Sequence, residues 1–126
     1  MPFALWSVLI AACLPLLWAV ISKIGARRYD NHAPRAWLAN LDGYRQRANW
    51  AQMNAWEAFS PYAAGMVLAW VRQVPATTLD LVAGVFIAAR VLHGVLYLAD
   101  KAAWRSLSWL IGFASVIALF VLAARV

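Results

Sequence analysis

The sequence predicts an all-α membrane protein of four transmembrane helices, and three observations carry that prediction. Of its 126 residues, 65% are hydrophobic and 13% charged, about half the charged share of soluble domains. Its mean hydropathy is +0.68. Its apolar residues fall into four runs of about 20, the length needed to cross a bilayer. With short connections these runs use up the chain, so residues 1–126 are expected to form one membrane domain without a separate soluble one.

The first span runs roughly from Phe3 to Ile21 with no charge inside it. Pro15 interrupts it, but membrane helices accommodate a proline with a kink. No basic residue precedes the run, whereas Lys23, Arg27 and Arg28 follow it. A cleaved signal peptide has the reverse order, so this segment reads as a retained span. The second helix begins near Gly43, continues through the polar stretch Tyr44 to Asn49, and enters the membrane around Trp50. It stops before Pro75, which gives a span over roughly 45–73. Thr77 or Thr78 is the expected cap of the third span, roughly Leu79 to Ala99. A turn at Asp100 to Ala103 leads into the fourth, roughly Trp104 to Ala124. The lone Cys13 lies within the first run, can form no internal disulfide, and is assigned to packing.

Eleven basic residues against five acidic ones give a net charge of +6. Lys23, Arg27, Arg28, Arg35, Arg45 and Arg47 gather around the first connection, and Lys101 and Arg105 around the third. The opposite side holds only Arg72 and Arg125. Short cytoplasmic loops carry the excess of Lys and Arg, so both termini are expected outside the cytoplasm and the first and third connections inside. These charges flank spans and do not line one soluble face, so the basicity implies no nucleic-acid partner. Trp37, Trp50, Trp70 and Trp104 fall near predicted span ends, where aromatic rings favour the interface.

The functional signal is polar. Glu57 stands inside the second apolar stretch, where a carboxylate costs about 2.5–3.5 kcal/mol on insertion scales and normally faces protein. At 100° per residue Arg47 and Asn54 lie nearly in line, with Glu57 about 60° to one side. On the third span Arg90, His93 and Tyr97 form a second stripe at i, i+3 and i+7. The two stripes are expected to bury against each other or against a neighbouring subunit, so that Glu57 pairs with an arginine. Such a set can simply hold helices in register. However, two charges, an amide, an imidazole and a phenol at one depth exceed what registry requires, and they suit a polar ligand. His32 and His93 have no second ligand at i+3 or i+4, so no metal is expected. The chain also lacks a glycine-rich phosphate loop, a Ser-His-Asp order and a CxxC pair.

The run Arg47-Ala-Asn-Trp-Ala-Gln52-Met-Asn54-Ala-Trp-Glu57-Ala-Phe-Ser-Pro61, then Arg90-Val-Leu-His93-Gly-Val-Leu-Tyr97, then Arg105-Ser106, resembles the membrane-associated proteins in eicosanoid and glutathione metabolism, the MAPEG family. The resemblance covers the whole chain in length, span count and topology. It implies a left-handed four-helix bundle assembled as a homotrimer, with glutathione as cosubstrate between subunits near the cytoplasmic surface. Asn54 and Glu57 match the residues that hold the amino end of glutathione, while Arg90, His93 and Tyr97 match others lining the site. Arg105 matches the catalytic arginine, with Ser106 as its neighbouring hydroxyl. The family places an arginine four residues before the asparagine, where this chain has Trp50, so Arg45 or Arg47 is expected to supply that charge at the mouth of the site.

The implied activity is glutathione transfer to hydrophobic electrophiles arriving from the bilayer lipids, or reduction of lipid hydroperoxides. A free thiol has a pKa near 8.5, and lowering it by two units takes about 2.7 kcal/mol, within reach of a guanidinium bonded to the sulfur. A non-catalytic trimer that binds a lipid or a thiol compound is the alternative. A small proton-coupled drug transporter fits less well, because that family's glutamate lies in the first span, which here has no ionisable residue before Lys23.

Overall fold

A computed structural model describes residues 1–126 as four long helices and one short one. They are α1 (Phe3–Lys23), α2 (Pro34–Ala39), α3 (Gly43–Val71), α4 (Ala76–Leu98) and α5 (Ala102–Arg125). Three of them, α1, α4 and α5, are long and apolar enough to cross a membrane. At 29 residues α3 is the longest, but Glu57, two arginines and its polar first turns keep it from the same standard. The chain is an integral, multi-pass membrane protein.

The helices run up, down, up and down. Asp80 Oδ1, just past the first turn of α4, accepts a 2.7 Å hydrogen bond from the backbone N–H of Ala4 at the start of α1. The two N-termini therefore share one end of the bundle, and a carboxylate satisfies one of the N–H groups left free there. In turn α3 packs against α1, α4 and α5, and α4 against α1 and α5.

Small residues let the backbones approach, as they do where helices associate in lipid. On α1 the inward stripe includes Ala4, Ser7, Ala11, Ala19 and Ser22. Ser7 and Ser22 each donate to a carbonyl three residues back, so buried hydroxyls are satisfied within their own helix. Because the Ser7 proton is committed to Ala4, the Tyr62 hydroxyl donates to Ser7 Oγ. The Tyr62 ring stacks on Phe86 with centroids 3.7 Å apart, at the centre of a core that includes Met66, Leu79 and Leu119. A smaller cluster of Trp18, Ala51 and Ala55 fills the other end. The outer faces are apolar, with Leu9, Leu16, Leu81, Leu110 and Ile117 exposed, as a surface solvated by lipid requires.

Three element boundaries differ from the sequence reading. Pro75, and not Thr77 or Thr78, stands at the N-cap of α4, which begins at Ala76. Proline presets the backbone there and needs no N–H, so the helix starts a turn early. For its part α5 begins at Ala102, ahead of Trp104. The connection after α1 contains α2, with Pro34 at its first position and Leu38 buried.

Candidate functional site

Arginines at the ends of the bundle are spent on helix termini. Arg47 donates through Nε and Nη2 to the carbonyl of Leu98, both at 3.2 Å. Similarly Arg45 Nη2 donates to Ile24 O at 2.7 Å, and Arg72 Nε to Ala123 O at 3.2 Å. Each places a cation on free carbonyls at the negative end of a helix. Arg47, expected among the ligand-binding residues, thus holds the end of α4 against α3.

Beside that end the two polar stripes meet. Arg90 on α4 is buried, 4% exposed, and its Nη2 donates to Asn54 Oδ1 on α3 at 2.7 Å. The sequence reading had Glu57 paired with an arginine. Within one chain the arginine bonds Asn54, and Glu57 is exposed. The 60° between the two α3 residues explains this, since turning Asn54 toward α4 turns Glu57 toward the bundle surface. The two stripes are thus brought together through the amide, and the carboxylate remains available.

Asn54, Glu57 and Arg90 line a cavity of about 150 Å³ between α3, α4 and α5. Its remaining wall is apolar and includes Pro61, Phe86, Trp109, Gly112 and Phe113. A Cβ on Gly112 would lie 3.3 Å from Arg90 Cδ, so the glycine lets α5 close over the arginine stem. Trp109 and Phe113 stack at 5.2 Å and are both exposed, placing the cavity rim on the lipid-facing surface. The α5 residues of this wall escaped the sequence reading. Their 109, 112, 113, 116 spacing is a helical stripe, but nothing in an apolar span distinguishes it from ordinary packing.

A groove of about 430 Å³ adjoins the cavity, lined by Trp50, Met53, Asn54, Glu57 and Tyr97. Tyr97 is the hub of its polar end. The Arg105 guanidinium lies over the Tyr97 ring, 4.3 Å from the centroid. Trp50 tilts against the same ring at 6.3 Å, and His93 meets it edge-on at 5.5 Å. Cation–π contact fixes Arg105 without consuming its N–H groups. His93 is buried behind Tyr97 and lines neither opening. Ser106 is exposed and lines neither as well.

The arrangement presents an unpaired carboxylate in the wall of a groove and, stacked on the Tyr97 ring just outside its lining, the half-buried Arg105 guanidinium, next to an apolar chamber that opens to lipid. It can hold a molecule bearing an ammonium, and a second, apolar molecule can approach from the side. Compared with models of protein families, residues 3–125 match the model of the MAPEG family. No curated protein and no solved structure matches the chain.

Proposed function

The chain belongs to the MAPEG family, and from that membership we propose that it binds glutathione in the Trp50–Tyr97 groove and transfers its sulfur to hydrophobic electrophiles or reduces lipid hydroperoxides. The observation that carries this reading is Glu57, a carboxylate without a partner in the chain, set beside an arginine-anchored amide. An ammonium is its natural complement. At about 430 Å³ the groove is the size of a small-molecule site. Asn54 and Glu57 would hold the amino end, and Arg90 keeps Asn54 in place. Arg105, oriented by Tyr97 and with donors to spare, would stabilise the thiolate. Thiolate attack forms the new bond to carbon while the leaving group departs with its electron pair, and the electrophile occupies the apolar chamber behind Trp109 and Phe113.

In the same proposal α3 is the fourth span and three copies associate so that the groove is closed by a neighbour. The first and third connections, where the basic residues gather, face the cytoplasm, and both termini lie on the other side. A second reading, a non-catalytic lipid- or thiol-binding trimer, draws on Trp50 and Met53, which make the outer wall of the groove apolar.

Titration calorimetry and turnover of a chlorinated nitroaromatic in detergent test the proposal. Glu57→Gln removes a charge-assisted hydrogen bond of about 1.5–3 kcal/mol and raises KM for glutathione tenfold or more. Arg105→Ala returns the thiol toward its free pKa near 8.5, so the rate–pH profile moves upward and the rate at neutral pH falls at least about tenfold. Absence of heat with millimolar glutathione removes the enzyme reading.

A further inference from the structure

We propose that a separate pocket, between the α1–α2 connection and the first turns of α3, binds the phosphate of an anionic phospholipid. The pocket measures about 430 Å³, and Arg27, Trp37, Asn40, Leu41 and Arg45 line it. Two guanidiniums and an amide supply its polar lining. The carboxylates nearest in sequence, Asp30 and Asp42, do not line it, and Asp30 is engaged by the backbone N–H of His32.

Arg45 supplies a reason for a ligand. Its Nη2 caps Ile24, but its Nε is buried and has no hydrogen-bond partner. Buried donors are normally satisfied, and the unpaired Nε beside the committed Nη2 leaves this guanidinium with donor capacity that suits a phosphate oxygen. Gly25 makes the approach possible. Its φ is +69°, and a Cβ there would lie 3.3 Å from Arg45 Nη2.

The depth fits a lipid headgroup. The 21 residues of α1 rise about 31 Å at 1.5 Å each, the thickness of the hydrocarbon core, and Gly25 lies two residues beyond the helix. Trp37 is braced at this level by Tyr29, edge to face at 5.0 Å, and Lys23 Nζ sits 4.7 Å from the Tyr29 centroid. Aromatic rings favour this depth. Basic pockets at the ends of membrane helices suit anionic headgroups. With no carboxylate in the lining, the pocket offers no anionic partner to the ammonium of a zwitterionic lipid.

The test uses protein delipidated in detergent and offered equimolar phosphatidylglycerol and phosphatidylcholine with matched acyl chains, retained lipid being counted by native mass spectrometry. Retention should favour phosphatidylglycerol. Arg27→Gln, which removes no hydrogen bond within the chain, should lower that preference about fivefold, the value of one arginine near an anionic surface. Arg27→Gln with Arg45→Gln should abolish it, and Arg28→Gln, outside the pocket, should leave it intact. Equal retention of the two lipids overturns the proposal, as does an Arg28→Gln loss matching that of Arg27→Gln, which would reveal a general charge effect. Displacement of phosphatidylglycerol by inorganic phosphate at millimolar concentration would also overturn it, by showing a site for the free ion.

Discussion

Replacing Gly94 with alanine tests the packing that sets α1 against α4, because the added methyl has nowhere to go. Its Cβ would lie 2.0, 2.3 and 2.6 Å from Cζ2, Cε2 and Cη2 of Trp18. Carbon atoms pack at about 3.5–4.0 Å, so the ring would have to retreat by roughly 1.5 Å. Trp18 is 3% exposed and packs on Ala51 and Ala55 of α3, which leaves the ring no adjacent space, so the strain passes to the helices. Overpacking costs about 1–3 kcal/mol, and this overlap belongs at the upper end. Alanine recovers about 0.5–1 kcal/mol over glycine within a helix. The net loss is about 2 kcal/mol, roughly thirtyfold in the folding equilibrium. Unfolding in mixed detergent–SDS micelles, followed by circular dichroism, measures it. The companion variant Trp18→Ala opens the space, and in that background Gly94→Ala should cost nothing or stabilise. If Gly94→Ala is as stable as the parent, or equally harmful in both backgrounds, the ring does not limit the approach of the helices.

Two further outcomes follow from the polar contacts. Asn54→Ala leaves the buried Arg90 guanidinium without its acceptor and should destabilise by about 1–3 kcal/mol, whereas Asn54→Asp keeps an oxygen in place and should lose less; the same micelle titration compares them. Arg47→Gln removes both hydrogen bonds on Leu98 O, so amide exchange at Ala99 to Lys101 should accelerate about two- to fivefold, from a helix-terminus interaction of about 0.3–1 kcal/mol, with the rest of α4 unchanged.

The fold was legible where composition and punctuation agree. The charge-free run of α1 ends at Lys23, and α3 begins at Gly43 as its sequence suggests. By contrast α2 was not legible, because six residues show no period and what holds them, the burial of Leu38 and the contact of Trp37 with Tyr29, is tertiary. The site was half legible. Spacing identified the Asn54 and Arg90 stripes, and helical geometry requires each stripe to share a face. Spacing could not say which α3 group would meet Arg90, since a rotation of 60° exchanges the amide for the carboxylate. Nor could it show that Arg47 caps α4, because that depends on where a helix 50 residues away ends. Residues that act through their own helix are readable in sequence, and those that act through another helix need the packing.

Glu57 shows how far a single bundle can satisfy its own chemistry. In α3, the one long helix below the hydropathy of a clear span, its exposed carboxylate makes the bilayer its first competitor for solvation. If α3 crosses, leaving that group in lipid costs about 2.5–3.5 kcal/mol even with local relief. A ligand ammonium can offset this only while bound, and an enzyme releases its product each cycle. Under the proposed function the cover between turnovers is therefore permanent, and a second copy of the chain in the same membrane is the proposed source. Trp50 and Met53, exposed beside Glu57, supply apolar rim for such a contact. The proposed trimer and the proposed ligand thus meet one requirement at different moments: the neighbour keeps Glu57 from lipid throughout, and the ligand neutralises it when the groove is filled.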